Sequence, residues 1–153
     1  MNIHPSSAWS EQQITDYLTK TDTPIRLSCQ TNDGYPVICS VWFDYRDGFI
    51  WAASHKNSHL IKSLKKHPKV GFEIANNEFP YHGIRGKGDI SLIDDSEGQV
   101  LETLINKYLQ GSNTQLAHWL LSRKADEYAI KIQPLSINSW DFSKRMQAPA
   151  KKT

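Results

Sequence analysis

The chain has 153 residues, 39% of them hydrophobic and 22% charged, which suits one globular domain with a single core. Its formal net charge of +2 is too small to imply a nucleic-acid or membrane partner, and no apolar run approaches the roughly 20 residues that span a bilayer. The polar opening, residues 1–10, lacks the apolar stretch of a secretory leader, and both cysteines, Cys29 and Cys39, sit in apolar runs where a thiol packs as a small hydrophobe, so a cytoplasmic setting is expected.

Ser10 opens the first predicted helix. Gln13, three positions on, gives a capping-box spacing, and Ile14, Tyr17 and Leu18 form one apolar stripe. Asp22-Thr23-Pro24 ends the helix, because proline lacks an N–H and restricts the residue before it. Ile25, Leu27 and Cys29 then alternate with Arg26, Ser28 and Gln30, the period of a strand, and Asn32-Asp33-Gly34 turns the chain. A second strand is predicted over residues 37–45, a turn at Arg46-Asp47-Gly48, and a third strand over residues 49–54. Residues 58–67 read as a helix with Leu60, Ile61 and Leu64 inward and Lys62, Lys65 and Lys66 in water, stopped by Pro68. Strands follow at 69–75 and 83–93. Next comes a helix capped by Asp95 or Ser96 and ended by Gly111, then a helix over 114–124, and strands over 127–133 and 136–142. Residues 1–143 are expected to form one domain and 144–153 a disordered tail. Antiparallel strands joined by hairpins, with a few helices, suggest a closed or partly closed barrel, since closure removes exposed sheet edges.

Three stretches offer chemistry. Ala52 to His59 joins a strand to a helix, and the unpaired N–H groups of a first helical turn suit an anion; Ser58 with Lys56 and His59 could hold a phosphate, or Asn57 and Ser58 could simply cap the helix. Gly83-Ile84-Arg85-Gly86-Lys87-Gly88 puts three glycines into a strand. They could leave a bare face for a flat ring beside two cations, or mark a tightly curved barrel corner. The apolar run Cys39-Ser40-Val41-Trp42-Phe43 could read the edge of a heterocycle through its backbone, or be a core strand. The six histidines form no metal constellation: His55 and His59 are spaced i, i+4 but lack the intervening glutamate of the zinc-protease motif, and no metal is expected. The lysines from Lys56 to Lys69 alternate with an apolar stripe, as on a solvated helix face.

Taken in order, these stretches resemble the pyridoxamine 5′-phosphate oxidase-like FMN-binding split-barrel family over about residues 14–142. Ile25 to Pro36 looks like that family's arginine-bearing first strand and acidic-Gly-x-Pro turn, and Val41-Trp42-Phe43 its second strand. Ser58 to Leu64, then Lys66-His67-Pro68-Lys69-Val70, looks like its helix and exit, with His67 for the usual asparagine. Pro80-Tyr81-His82-Gly83-Ile84-Arg85-Gly86-Lys87-Gly88 resembles its cofactor strand, and Ile132-Gln133-Pro134 with Trp140-Asp141-Phe142 its close.

The resemblance implies a mainly β fold with α: an antiparallel, Greek-key-like split β-barrel flanked by short helices. It implies a homodimer with FMN at the subunit interface, the isoalloxazine along Ser40, Val41 and Trp42. The phosphate and ribityl chain would be held by Ala53, Ser54, Lys56, Asn57, Ser58, His59, Arg85 and Lys87, with Trp140 given by the other subunit. The family often carries a lysine where this chain has Leu60; Leu60 shares the apolar face of Ile61 and Leu64, so it is expected in the core, leaving Lys56, His59, Arg85 and Lys87 as the working charges. An FMN-dependent oxidoreductase of unidentified substrate is therefore expected. A deazaflavin-dependent reductase and a non-catalytic flavin- or haem-binding protein are the alternatives. No residues match the substrate set of true pyridoxamine-phosphate oxidases, so a vitamin B6 role is not expected.

Overall fold

The computed structural model describes residues 2–146, so most of the tail expected from Lys144 onward lies outside the described residues. The capping box at the start of α1 (Glu11–Lys20) is complete: Gln13 N–H donates to the Ser10 hydroxyl, and Ser10 N–H donates to the Gln13 side chain. Ile14 and Leu18, one turn apart, are its buried stripe. Seven strands follow: β1 (Ile25–Gln30), β2 (Pro36–Val41), β3 (Phe43–Arg46), β4 (Phe49–His55), β5 (Lys69–Ala75), β6 (His82–Asp94) and β7 (Glu127–Asp141). They make one antiparallel sheet in the order β2-β1-β5-β6-β7-β4-β3.

The two ends of that order are neighbours in the chain. Val41 pairs with Ile25 on one edge and Phe43 with Ala52 on the other, so Trp42 alone carries the backbone between edges and curls the sheet into a half-barrel. The single strand predicted over residues 37–45 is therefore two. The β3 edge is covered by a helix: Phe43 N–H donates to the Tyr108 hydroxyl at 3.3 Å, and Lys107 Nζ donates to the Phe43 carbonyl at 3.1 Å. That blunts an otherwise sticky edge.

Alternation sorts the side chains. Ile25, Leu27, Phe43, Ile50, Phe72, Ile84, Ile130 and Ile132 fill the inside of the curl. α2 (His59–Lys66) adds Leu60, Ile61 and Leu64 to the same core. α3 (Gln99–Leu109) lies against the outer surface, where Val100 and Leu104 meet Ala129, Trp42, Trp51 and Ala53. α4 (Thr114–Leu121) has no fully buried residue and ends earlier than the sequence predicts, because residues 124–126 form a 3₁₀ turn. The α3 cap also differs: Gly98, at φ 73°, is the first half-in residue. The Asp95 carboxylate nevertheless reaches over it to accept from Val100 N–H at 3.2 Å and Leu101 N–H at 3.1 Å.

The two predicted late strands are one, β7. Gly88 opposes Pro134 and Lys87 opposes Ser136, so Leu135 is an extra, bulged residue that absorbs the missing proline N–H without ending the ladder. Of the two readings of the glycine-rich strand, the curved-barrel one holds. A Cβ at Gly86 would stand 2.4 Å from the Ser136 carbonyl oxygen and 2.5 Å from Phe72 Cζ; at Gly83, 2.6 Å from the Ile74 oxygen; at Gly88, 2.7 Å from the Gln133 oxygen. The ring lying against this strand is the protein's own Phe72.

Candidate functional site

Trp42 points to the outer surface, as do Ser40 on β2 and Ala53 on β4, each one residue out of phase with the inward set. Its indole is held by parallel stacking on Tyr108 of α3, with centroids 5.1 Å apart and planes 8° from parallel. Burial pushes the Tyr108 hydroxyl up to about 12 and pulls Lys107 below the ordinary lysine value, so at neutral pH Tyr108 acts as a neutral clamp on Phe43 N–H.

Beside this clamp a cavity of about 390 Å³ opens between the sheet and the two outer helices. Ser40, Val41, Trp42, Ala53, Ser54 and His55 line the sheet side. Leu101 and Leu104 of α3 and Leu116, Trp119 and Leu120 of α4 line the helix side, and Arg123 and Glu127 complete the lining. Apolar walls with a few converging polar groups are the usual make-up of a site for a small organic molecule. Of the sequence-predicted residues, Ser40, Val41, Trp42, Ala53 and Ser54 come together here; His55, the helix side, Arg123 and Glu127 were not among them, their signal being only that of a loop, ordinary helix packing and a strand start.

The phosphate-loop candidates are tied into local structure. Ser54 Oγ donates to Ser58 Oγ at 2.9 Å, and Ser58 Oγ accepts from Ile61 N–H at 3.1 Å, so Ser58 caps α2. Asn57 N–H donates to His55 Nδ1 at 3.1 Å, which leaves the proton of a neutral His55 on Nε2. Lys56 pairs with the Asp126 carboxylate, which raises the lysine and lowers the aspartate from their ordinary values. An exposed pair of this kind is easily traded for another anion. His59 stands apart, in a surface depression shared with Lys62 and Lys66.

Arg85 and Lys87 also lie elsewhere. With Arg26, Ser28, Glu73 and Asn138 they line a second outer cavity of about 620 Å³ across β1, β5, β6 and β7. The Arg85 guanidinium sits 5.5 Å from the centre of the Trp140 ring. The Asn138 side-chain oxygen in this wall is buried and unpartnered among the described residues. The structure therefore scatters the sequence-predicted residues: Ser40, Val41, Trp42, Ala53 and Ser54 share the first cavity, Arg85 and Lys87 the second, and His59 a third depression, while Lys56, Asn57, Ser58 and Trp140 line none of these, and Leu60 is 4% exposed and packed in the main core.

The ring system of a flavin fits the first cavity on two observations. Its sheet wall combines Trp42, held flat by Tyr108, with Ser40 and Ala53, and among the described residues β2 pairs on one side only, leaving alternate backbone groups near Ser40 and Val41 to meet a heterocycle edge.

No family model matches the chain, and no curated protein sequence does. Solved structures match well. A conserved hypothetical protein from Mycobacterium tuberculosis is similar at a TM-score of 0.78 and 18% identity, over 100% of this chain and 98% of that one. An F420 reductase is similar at 0.70 and 19% identity, over 80% and 94%. General Stress Protein 26 from Bacillus anthracis is similar at 0.63 and 25% identity, over 84% and 91%. Proteins named for pyridoxamine 5′-phosphate oxidase from Listeria innocua, FAD binding from Mesorhizobium loti and haem storage from Vibrio cholerae have TM-scores of 0.63, 0.61 and 0.59. What this chain shares with all of them is the fold: a curled antiparallel half-barrel of seven strands with four short helices, mainly β with α.

Proposed function

We propose that the chain binds FMN in the cavity between the sheet and α3–α4 and works as a flavin-dependent oxidoreductase. The observation that carries this reading is the convergence of Ser40, Val41 and Trp42 with Ala53 and Ser54 on one mainly apolar cavity. A bound flavin supplies hydride or electron transfer. The chain's own residues supply the rest. Trp42, fixed by Tyr108, is a rigid wall for a flat ring, and the α3 and α4 leucines keep water away from it. Lys56 and the start of α2 offer charge and N–H groups to a phosphate, at the cost of a weak surface pair with Asp126.

In this reading the protein is a homodimer. Arg85 and Lys87 line a separate cavity on their own protomer, with the Trp140 ring beside the Arg85 guanidinium, and Ile38 in the same lining is 69% exposed. A second copy would bring this cationic wall to the first copy's flavin and cover Ile38. A deazaflavin coenzyme is the second reading, favoured by the similarity to an F420 reductase over 80% of the chain.

Purified full-length chain is expected to take up FMN with quenching of flavin fluorescence and to show flavin absorption bands. A Soret band instead would turn the assignment to haem, and uptake of the deazaflavin alone would select that coenzyme. Turnover with NAD(P)H would separate enzyme from carrier. Arg85→Ala is expected to weaken FMN binding at least about tenfold, the value of a charge-assisted hydrogen bond; unchanged affinity would remove Arg85 from the site. Light scattering is expected to give a dimer, and a monomer that still binds FMN tightly would overturn the shared site.

A further inference from the structure

Arg123 follows Trp119 by four residues. Its N–H donates to the Leu120 carbonyl at 3.1 Å, so helical spacing carries on past the end of α4 and lays the guanidinium over the Trp119 ring, 4.5 Å from its centre. Arg123 is half-buried in the lining of the first cavity, and its guanidinium makes no hydrogen bond or ion pair among the described residues. A guanidinium carries five donors in a planar fork that suits phosphate or carboxylate. Stacking on an indole fixes that plane without using any of the donors.

The turn after Arg123 brings other donors to it. Asp126 N–H donates to the Arg123 carbonyl at 2.9 Å, and the Asp126 carbonyl accepts from Lys56 N–H at 2.7 Å, so the 3₁₀ turn is tied to the loop between β4 and α2. The Asp126 carboxylate pairs with Lys56 and stands 3.8 Å from His55 Nε2, the nitrogen that carries the proton when Nδ1 accepts from Asn57 N–H. Lys56 first, then His55 and Arg123, hold Asp126 below the ordinary aspartate value. One carboxylate thus gathers donors from two distant segments, beside the part of the cavity lining made by Ser54 and His55. Its pair with Lys56 is exposed and therefore weak. Glu127, opposite His55 in the ladder, is the other acid there; burial above all raises it from the ordinary glutamate value, which lessens its opposition to an incoming anion.

We propose that Arg123, with Lys56 and His55, binds the phosphate of the flavin nucleotide, and that the Asp126 carboxylate takes that phosphate's place on Lys56 and His55 when no nucleotide is bound. This rests on the reading of the cavity as the flavin's. It supplies from the far end of α4 the charge that the family draws from a lysine at the position of Leu60, which here lies in the core. A phosphate offers three acceptor oxygens and can engage the Arg123 fork as well as Lys56, whereas the Asp126 carboxylate pairs with Lys56 and leaves the fork unused.

The test measures FMN and riboflavin, which differ only in the phosphate, by fluorescence titration on the full-length chain. Arg123→Ala is expected to weaken FMN at least about tenfold, the loss of a charge-assisted contact, and to leave riboflavin unchanged, so riboflavin affinity also reports that the cavity has folded. Asp126→Asn removes the competing carboxylate and should tighten FMN by about two- to fivefold, the worth of an exposed ion pair, again without effect on riboflavin. Unchanged FMN affinity in Arg123→Ala, an equal loss of both flavins, or weaker FMN binding in Asp126→Asn overturns the proposal. If neither flavin binds to wild type, the flavin reading falls and inorganic phosphate decides the site: a melting temperature raised by phosphate in wild type but not in Arg123→Ala keeps the anion site, and equal shifts in both remove it.

Discussion

Leu60→Lys is expected to destabilise the fold by about 3–5 kcal/mol, the range of a severe core substitution, and to leave FMN binding no tighter. Leu60 begins the inward stripe of α2, one residue before Ile61 and in register with Leu64, and all three lie in the main core. Replacing it removes a buried leucine and sends an ammonium into a region that offers it no partner. The long stem gives the charge some route toward water, which tempers the loss without cancelling it. For a chain of this size the melting temperature should fall by on the order of 10 °C. In the family that the sequence resembles, a lysine here would reach a phosphate. The backbone of this chain aims the position at the core instead. Tighter FMN binding at an unchanged melting temperature would show that residue 60 faces the cofactor and that the core assignment is wrong.

Gly86→Ala should cost about 3 kcal/mol, the upper part of the usual overpacking range. The new methyl group would meet the Ser136 carbonyl oxygen at 2.4 Å and the Phe72 ring at 2.5 Å. Ser136 is fixed at the β7 bulge and Phe72 is buried, so neither moves without disturbing the β6–β7 ladder or the core. Gly71 provides the control on the adjacent strand. A Cβ there has its nearest neighbour at 3.9 Å, an ordinary contact, and Gly71→Ala should be close to neutral. Equal melting temperatures for the two variants would mean that the glycine strand is not needed for close packing, and would reopen its reading as a bare platform for a ligand.

Much of the scaffold was legible along the chain. The Ser10–Gln13 spacing became a complete capping box, Pro24 and Pro68 stand between elements as expected, and the inward sets Ile25-Leu27-Cys29 and Leu60-Ile61-Leu64 are buried. Each of these is decided within a few residues, by a missing N–H, by a side chain reaching its own backbone, or by a period of two or 3.6. The elements read wrongly depend on distant partners. Alternation runs unbroken through Trp42, so nothing local reveals that residues 36–41 pair with β1 and residues 43–46 with β4 on the opposite edge. Pro134 looks like the end of a strand until the bulge at Leu135 accommodates it.

The candidate site divides the same way. Ser40, Val41, Trp42, Ala53 and Ser54 were found because they form two short stretches at opposite ends of one hairpin, and β3–β4 pairing brings those ends together. Arg85 and Lys87 stand out in the sequence as candidate cofactor residues from their motif, but only the curl of the sheet puts them on a different wall from Trp42. Glu127 reads in the sequence as a charged residue at a strand start, indistinguishable from a solvated one. Its burial comes from α3 and α4 folding back over β7, a contact between segments whose periodicities carry no information about each other. Local chemistry in this chain determined which segments are helix, strand or turn and which of their faces are apolar. The packing of two helices on the outside of a sheet curled at Trp42 decided which polar groups share a cavity, because burial and proximity are set by contacts across the fold and not by spacing along it.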